Sequence, residues 1–221
     1  MIAEELISQN IPVVKTSDTG NEALSMMDLF KVSHLPIVNN SELLGLISDT
    51  DIYDNECGDS PIGNHKLSLM RPYVFANQHI YEVIDILYNL KLSVIPVLDS
   101  SKNYLGAITA SELIFAFAKI NAIQRAGSII ELTMNYHDYT SSQICQIVES
   151  NNCKILSFYV STNEDTTSVK VTLKLDTTDA TSVLQTFNRF GYEVTASFLY
   201  HDLASSFYQN RFESFMNYLN I

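Results

Sequence analysis

Two pairs of oxygen-bearing side chains have the types and spacing needed for chemistry. Ser48 is followed three residues later by Asp51, and Thr109 is followed three residues later by Glu112. Each hydroxyl ends an apolar, strand-like run and precedes a helical pattern. A hydroxyl at a helix N-terminus accepts a hydrogen bond from a free backbone N–H, and an acidic residue three positions on completes a capping box. Helix capping alone therefore accounts for both pairs.

The same groups also fit a second role. A helix N-terminus offers backbone N–H groups and partial positive charge to a phosphate, and the neighbouring hydroxyl can add a hydrogen bond. A carboxylate one turn further on can accept hydrogen bonds from both hydroxyls of a ribose. The spacing therefore also predicts a site for a sugar phosphate, and the sequence leaves capping and ligand binding as open alternatives.

Both pairs belong to an internal repeat, which explains why the pattern occurs twice. At an offset of 60 residues Pro96 falls on Pro36, and after one inserted turn residue Gly106 falls on Gly45. Each copy reads as strand, helix, strand, strand, helix. One copy cannot bury all of its apolar residues alone, so we expect the two copies to pack together. We assign residues 1–60 to copy one and residues 61–125 to copy two.

The stretches HLPIVNNSELLGLISDTDI and VIPVLDSSKNYLGAITASEL resemble two cystathionine-β-synthase (CBS) domains, the pair known as a Bateman module. The resemblance implies that an adenosine-containing ligand, such as AMP, ADP, ATP or S-adenosylmethionine, binds in a cleft between the copies. It implies that Ser48, Asp51, Thr109 and Glu112 hold its phosphate and ribose. It also implies that four short segments enclose the base, through Pro12, Val13, Leu35, Pro36, Tyr73, Val74, Ile95 and Pro96.

Some residues depart from the family pattern or add little to it. Glu112 stands where nucleotide-binding members usually have Asp, so we favour Ser48 and Asp51 as the ligand-binding pair. Lys15 and Arg71 are the candidates for phosphate binding, and His34 is a weaker one. Each has an ordinary alternative, as a solvated charge or, for His34, a half-buried packing residue. With so few cations, we expect a monophosphate or diphosphate rather than ATP.

The pattern changes after the repeat, and residues 126–202 alternate as βαββαβ, the order of a ferredoxin-like sandwich. The whole chain is thus predicted to be an α+β protein. This part resembles an ACT domain, and the combination is similar to CBS–ACT regulators of the acetoin-utilisation type. The resemblance implies an amino-acid site at the loop NYHDYTS, which lacks the usual glycine. We therefore interpret the domain chiefly as a homodimerisation module.

Residues 203–221 carry a last amphipathic pattern. Phe212, Phe215, Met216 and Leu219 fall at i, i+3, i+4 and i+7, which predicts a C-terminal helix with one apolar face. Such a face requires a surface on its own chain or on a partner subunit. The segment has no basic face, so we do not expect it to bind a membrane.

Composition narrows the class of protein. Hydrophobic residues make up 46% of the 221 residues and charged residues 17%, as in a globular chain. The net charge of −12 argues against nucleic-acid binding. The acidic N-terminus lacks a signal-peptide pattern and no apolar run is long enough to span a bilayer, which predicts a cytoplasmic protein. Three cysteines without a CxxC pair and scattered histidines predict no metal site.

No sequence motif indicates an enzyme. A P-loop, a glycine-rich dinucleotide turn, GxSxG and HExxH are all absent from the sequence, so we assign no catalytic residue. The leading hypothesis is a homodimeric sensor that binds an adenosine nucleotide and signals to an unidentified downstream protein. The alternative is a structural or interaction protein whose clefts no longer bind a ligand.

Overall fold

The computed structural model describes residues 1–8, 10–65, 71–162 and 167–198. The chain divides into two compact units, Met1–Phe117 and Ala118–Ile221. This division falls inside the last helix of the repeat, whereas the sequence placed the domain boundary after residue 125. The predicted C-terminal helix lies outside the described residues. Among the described helices, none is long and apolar enough to cross a bilayer.

Copy one follows the predicted order, but its first strand is reduced to a single parallel bridge between Val14 and Ile37. Helix α1 begins at a reciprocal capping box between Thr19 and Glu22, and it ends at Lys31, whose φ of 56° is left-handed. The next two strands form an antiparallel hairpin. The elements are α1 (Gly20–Phe30), β1 (His34–Asn39), β2 (Glu42–Ser48) and α2 (Asp49–Asp54).

Copy two has the complete predicted order of strand, helix, strand, strand, helix. Its first strand pairs in parallel with the second, and the second pairs antiparallel with the third. Both hairpins carry a register irregularity at the equivalent place, after Ile37 in copy one and after Val97 in copy two. The elements are β3 (Val74–Phe75), α3 (Ile80–Leu90), β4 (Val94–Leu98), β5 (Tyr104–Thr109) and α4 (Ala110–Ile120).

The two copies exchange their leading segments. The 3-10 helix Ala3–Leu6 lies at the start of copy one but packs on copy two, where the Ala3 N–H donates to the Gln78 carbonyl at 2.9 Å. The 3-10 helix Ile62–Asn64 lies at the start of copy two but packs on copy one, where the Ile62 N–H donates to the Asp18 carbonyl at 2.8 Å. Each copy is thus completed by the first segment of the other.

The hydrophobic core also crosses between the copies. Leu46 of copy one lies in the same buried cluster as Ile95 and Ile108 of copy two. A smaller central cluster joins both hairpins to the residues that precede α1 and α3, through Val38, Leu43, Leu98, Val13, Tyr73, Phe75 and Tyr104. The predicted packing of two incomplete copies against each other is therefore confirmed.

The second unit has the strand and helix order predicted for a ferredoxin-like sandwich. Its four strands form an antiparallel sheet in the order β7-β8-β6-β9, with the apolar residues of α5 and α6 in one core with the sheet. Assignment to the ACT family stays a prediction. The elements are β6 (Ile129–Asn135), α5 (Ser141–Ser150), β7 (Ile155–Thr162), β8 (Ser168–Leu175), α6 (Thr181–Arg189) and β9 (Glu193–Phe198).

The alternation of residue types along strand β8 matches the two faces of the sheet. Val169, Val171, Leu173 and Leu175 are all fully buried, as the alternation predicts. Lys174 points to the opposite face and is nevertheless buried, and its Nζ donates to the Ile123 carbonyl at 2.9 Å. The chain that enters the second unit therefore covers part of the sheet's other face.

Tyr104 supplies a test of the central cluster. Its hydroxyl is buried and has no hydrogen-bond partner among the described residues, and burial raises the pKa of Tyr104 to about 12. A buried polar group without a partner costs free energy. We expect Tyr104→Phe to stabilise the protein by about 1 kcal/mol, measured by urea unfolding.

Tyr192→Phe is the matched control, because the Tyr192 hydroxyl donates to Gln143 Oε1 at 3.1 Å. That substitution removes an existing hydrogen bond, so the free energy of unfolding should fall or stay unchanged. Equal destabilisation by both substitutions would show that Tyr104 has a partner in solution.

Candidate functional site

The predicted pair in copy one forms a closed capping box at the start of α2. Ser48 Oγ accepts from the Asp51 N–H at 3.0 Å. Asp51 Oδ2 in turn accepts from the Ser48 N–H at 2.9 Å and from the Ser48 hydroxyl at 2.7 Å. Both residues are only 5% exposed. Hydroxyl and carboxylate are therefore held in one fixed arrangement at the helix N-terminus.

The equivalent pair in copy two is only half closed. Thr109 Oγ1 accepts from the Glu112 N–H at 3.1 Å, and it lies 2.8 Å from Ser111 Oγ. Within the described ranges, no hydrogen bond or ion pair is formed by the Glu112 carboxylate, which belongs to a half-buried residue. The two sites share one sequence pattern, but the Glu112 side chain is one methylene longer than that of Asp51 and its carboxylate does not close the capping box.

A hydrogen-bonded junction joins the two helix starts. The Ser33 N–H donates to Ser93 Oγ at 3.0 Å, and the Ser93 N–H donates to His34 Nδ1 at 3.3 Å. The carbonyl of Ser33 accepts from the Asp49 N–H, and that of Ser93 from the Ala110 N–H. The sequence analysis missed both serines, although they occupy the same position of the repeat and could have been found there.

His34 lies at this junction as a neutral acceptor. It pairs with Ser48 across the β1–β2 hairpin, and its Nδ1 is also 3.0 Å from Ser93 Oγ. Burial lowers the pKa of His34, while the nearby carboxylates of Asp49 and Asp51 act in the opposite direction. The bond from a backbone N–H requires an unprotonated Nδ1, so geometry and burial agree on the neutral imidazole.

The residues predicted to enclose a base fall into two groups. Leu35, Val74 and Ile95 are fully buried in the two cores, and Pro36 and Pro96 are buried within strands. Their side chains therefore serve packing first.

Pro12, Val13 and Tyr73 form the second group and are half-buried. Val13 and Tyr73 pack in the central cluster between the copies, and the neighbouring Val14 N–H donates to the Pro36 carbonyl at 2.9 Å. The residues that precede α1 and α3 thus approach the centre of the pair.

The two predicted phosphate-binding cations are exposed. Lys15 follows the single bridge of copy one, and its backbone N–H donates to Asp18 Oδ2 at 2.8 Å. Arg71 precedes β3. Neither side chain forms an ion pair with an acidic residue in the described part of the chain. The same ranges contain no group of three His, Cys, Asp or Glu residues placed to hold a metal ion.

A family model for the CBS domain matches residues 3–56 and 68–119. The first unit is a CBS domain pair. The first matched span includes the 3-10 helix Ala3–Leu6, which packs on the other copy, whereas Ile62–Asn64 lies between the two spans. The resemblance of both stretches to CBS domains is thus confirmed for this half of the chain.

Two curated relatives align with about half of this chain. Inosine-5'-monophosphate dehydrogenase from Methanocaldococcus jannaschii is 24% identical over 115 residues, which cover 51% of this chain and 23% of that protein. Homoserine O-acetyltransferase from Methanococcus vannielii is 26% identical over 117 residues, covering 51% of this chain and 24% of that protein. The match therefore spans about a quarter of each relative.

Solved structures with a similar fold also align with about half of the chain. A CBS domain pair/ACT domain protein from Thermotoga maritima has a TM-score of 0.49 at 22% identity and covers 54% of this chain and 98% of its own. AcuB, an acetoin utilization protein from Vibrio cholerae, has a TM-score of 0.49 at 20% identity, with 56% and 95% covered. CBSX2 in complex with AMP has a TM-score of 0.47 at 22% identity, with 56% and 98% covered.

The closed and half-closed capping boxes of the CBS pair predict different costs of substitution. Asp51→Ala removes an acceptor from a buried N–H and a buried hydroxyl, and we expect it to lower the free energy of unfolding by about 1–2 kcal/mol. Glu112→Ala is the matched control and should change that free energy by less than about 0.5 kcal/mol. Chemical denaturation of both variants checks the difference, and equal costs would contradict the two geometries.

The junction of the CBS pair also predicts a pH dependence. The folded state lowers the pKa of His34, so the unfolded state binds a proton more readily as the pH falls through its ordinary value of about 6.5. Stability should therefore be complete above that pH and decline below it. His34→Asn keeps an acceptor near the position of Nδ1 but cannot titrate. We expect the free energy of unfolding of this variant to fall less between neutral and mildly acidic pH than that of the unaltered protein. The same dependence on pH in both proteins would contradict the prediction.

Proposed function

We propose that the chain is a non-catalytic regulatory protein, and that its CBS pair binds an adenosine-containing nucleotide between the copies. The observation that carries this proposal is the fixed Ser48–Asp51 arrangement at the start of α2. A buried hydroxyl and a buried carboxylate lie side by side there, within a pair of domains that exchange their leading segments. We propose that the regulatory signal passes to a downstream protein.

The capping box does not exhaust the ability of Asp51 to bind a ribose. Both capping bonds from Ser48 are accepted by Oδ2 of Asp51, and each oxygen of an ionised carboxylate can accept more than one hydrogen bond. The capping bonds also fix the orientation of the carboxylate before a ligand arrives, which reduces the entropy lost on binding. Capping and ribose binding are therefore compatible roles for one residue.

The scarcity of cations limits the phosphate chain of the ligand. Lys15 and Arg71 are exposed and form no ion pair with a described acidic residue, so they are the side chains we assign to phosphate. The protein as a whole carries a net charge of −12, which disfavours a triphosphate. We therefore propose AMP or ADP ahead of ATP, and AMP heads the series to be tested.

Ligand binding is tested by thermal unfolding of the full chain with AMP, ADP, ATP and S-adenosylmethionine. A ligand at 100 times its dissociation constant should stabilise the folded state by about 2.7 kcal/mol. We expect AMP or ADP to raise the melting temperature, and Asp51→Ala to abolish that shift. Isothermal titration at a temperature where the variant is folded separates lost binding from lost stability.

Glu112→Ala is the matched control for the binding site, because it removes the equivalent carboxylate of copy two. It should leave nucleotide affinity unchanged. Loss of binding in Glu112→Ala but not in Asp51→Ala would place the ligand at the other helix start. If none of the four ligands shifts the melting temperature, the second candidate function is favoured, namely a structural or interaction protein. The burial of Leu35, Val74 and Ile95 in the cores favours that alternative.

A further inference from the structure

One face of the sheet in the second unit is not covered by α5 or α6. The apolar residues of these two helices share a core with Val171 and Leu173 of β8, which are fully buried. Thr172 and Lys174 alternate with them and therefore lie on the opposite face of the sheet, which we call the open face. The chain that enters the unit covers part of the open face, where Lys174 Nζ donates to the Ile123 carbonyl.

The strand register shows which apolar side chains share the open face. Tyr159 of β7 pairs with Thr172, and Ile129 of β6 pairs with both Lys174 of β8 and Phe198 of β9. Paired residues lie on the same side of a sheet, so Tyr159, Ile129 and Phe198 are all on the open face. Tyr159 is 49% exposed and Phe198 is 57% exposed. The uncovered face of an antiparallel sheet is commonly polar, so exposed aromatic residues on both edge strands indicate that a further layer packs there.

The charged side chains in the middle of the open face already have partners. Lys170 Nζ lies 3.3 Å from Glu131 Oε2, and Lys174 Nζ is bonded to the Ile123 carbonyl. Thr172, between them on β8, is only 5% exposed. An apolar layer can cover a charged side chain at low cost only where that charge is paired or hydrogen-bonded. Covering the middle of this face therefore leaves none of these three charges without a partner.

The last part of the chain continues directly from the open face. Phe198, the last described residue, lies on that face at the edge strand β9. Residues 203–221 lie outside the described residues, and their sequence places Phe212, Phe215 and Leu219 on one side of the predicted helix. A helix of that length extends about 28 Å, whereas the outer two of four strands are about 14 Å apart. The segment is therefore long enough to cover the sheet from β9 to β7.

We propose that residues 203–221 form an amphipathic helix that covers the open face of the sheet in the same chain. The apolar side of this helix contacts Tyr159 and Phe198, and its polar side, which carries Asn217, faces solvent. The tail of the same chain is favoured over that of a second copy because a segment joined to its site by a short linker has an effective concentration on the order of millimolar. Two separate chains, each with a net charge of −12, instead repel one another.

A single tryptophan on the open face tests this proposal in the full chain. The sequence contains no tryptophan, so Tyr159→Trp introduces one fluorescent reporter on β7, the edge strand farthest from β9. We expect its emission to be that of a buried indole and acrylamide to quench it weakly. Adding Phe215→Asp places a carboxylate in the apolar contact, so the emission should shift to longer wavelength and the quenching should rise severalfold. Asn217→Asp is the matched control, because it adds the same charge on the opposite side of the predicted helix, and it should change neither.

A mixing experiment separates docking within one chain from docking on a second copy. The variant with Tyr159→Trp and Phe215→Asp is unfolded and refolded with an excess of the unaltered protein, which supplies intact tails without tryptophan fluorescence. The reporter should stay exposed, and recovery of the buried emission would overturn docking within one chain. Emission that Phe215→Asp leaves unchanged, in protein that circular dichroism shows to be folded, would overturn the docking itself, as would equal effects of Phe215→Asp and Asn217→Asp. Leu219→Asp replaces Phe215→Asp if that variant does not fold. All measurements are made without nucleotide, so they are independent of the proposed ligand.

Discussion

The architecture of the first unit depends on contacts by which each of the two copies covers the apolar residues of the other. A βαββα unit has too few strands to cover its own apolar residues, and here the missing cover comes from the other copy. The Ala3–Leu6 and Ile62–Asn64 segments cross over, and Leu46 of copy one is buried among residues of copy two. Because backbone hydrogen bonds and core contacts both cross, separating the copies would expose apolar surface and unpaired backbone groups together. The pair is therefore the smallest unit in which either helix start is held in place.

Near-symmetry makes the differences between the copies informative. The same strand-to-helix turn ends in a closed capping box at Asp51 and a half-closed one at Glu112. The position of His34 in copy one is occupied by Val94 in copy two, so a titratable acceptor lies on one side of the junction only. Where a repeat keeps its fold and changes its side chains, the fold does not demand the change. These positions are therefore the ones at which function is to be sought.

Local sequence patterns predicted the parts of the structure that local physics determines. Capping at Ser48 and Thr109, the turn residues of the hairpins and the alternation of Val169, Val171 and Leu173 depend on neighbours within a few residues. The exchange of the Ala3–Leu6 and Ile62–Asn64 segments was not predicted, because the sequence of so short a segment does not indicate which copy it packs on. Leu35 and Ile95, which the family resemblance assigned to base contacts, have their side chains in the cores, and base contacts through these segments stay a prediction. The Ser33–Ser93 contact depends on the packing of the copies and could have been suspected only from its repeat position.

The junction between the copies gives the proposed nucleotide site a physical connection to the start of α4. The Asp49 N–H of α2 is bonded to the Ser33 carbonyl, the Ser33 N–H to Ser93 Oγ, and the Ser93 carbonyl to the Ala110 N–H of α4. A ligand at Ser48 and Asp51 acts on the first of these bonds, and α4 begins at the last. Contiguity of this kind does not by itself produce regulation, because a ligand shifts an equilibrium only by its differential affinity for two states. The short α2 of six residues is the element best suited to differ between such states, since α4 is nearly twice as long. Coupling would then consist of a change at the α2 start that alters how firmly Ser93 holds the α4 start, and any event that favours one arrangement of α4 would change ligand affinity by the same factor.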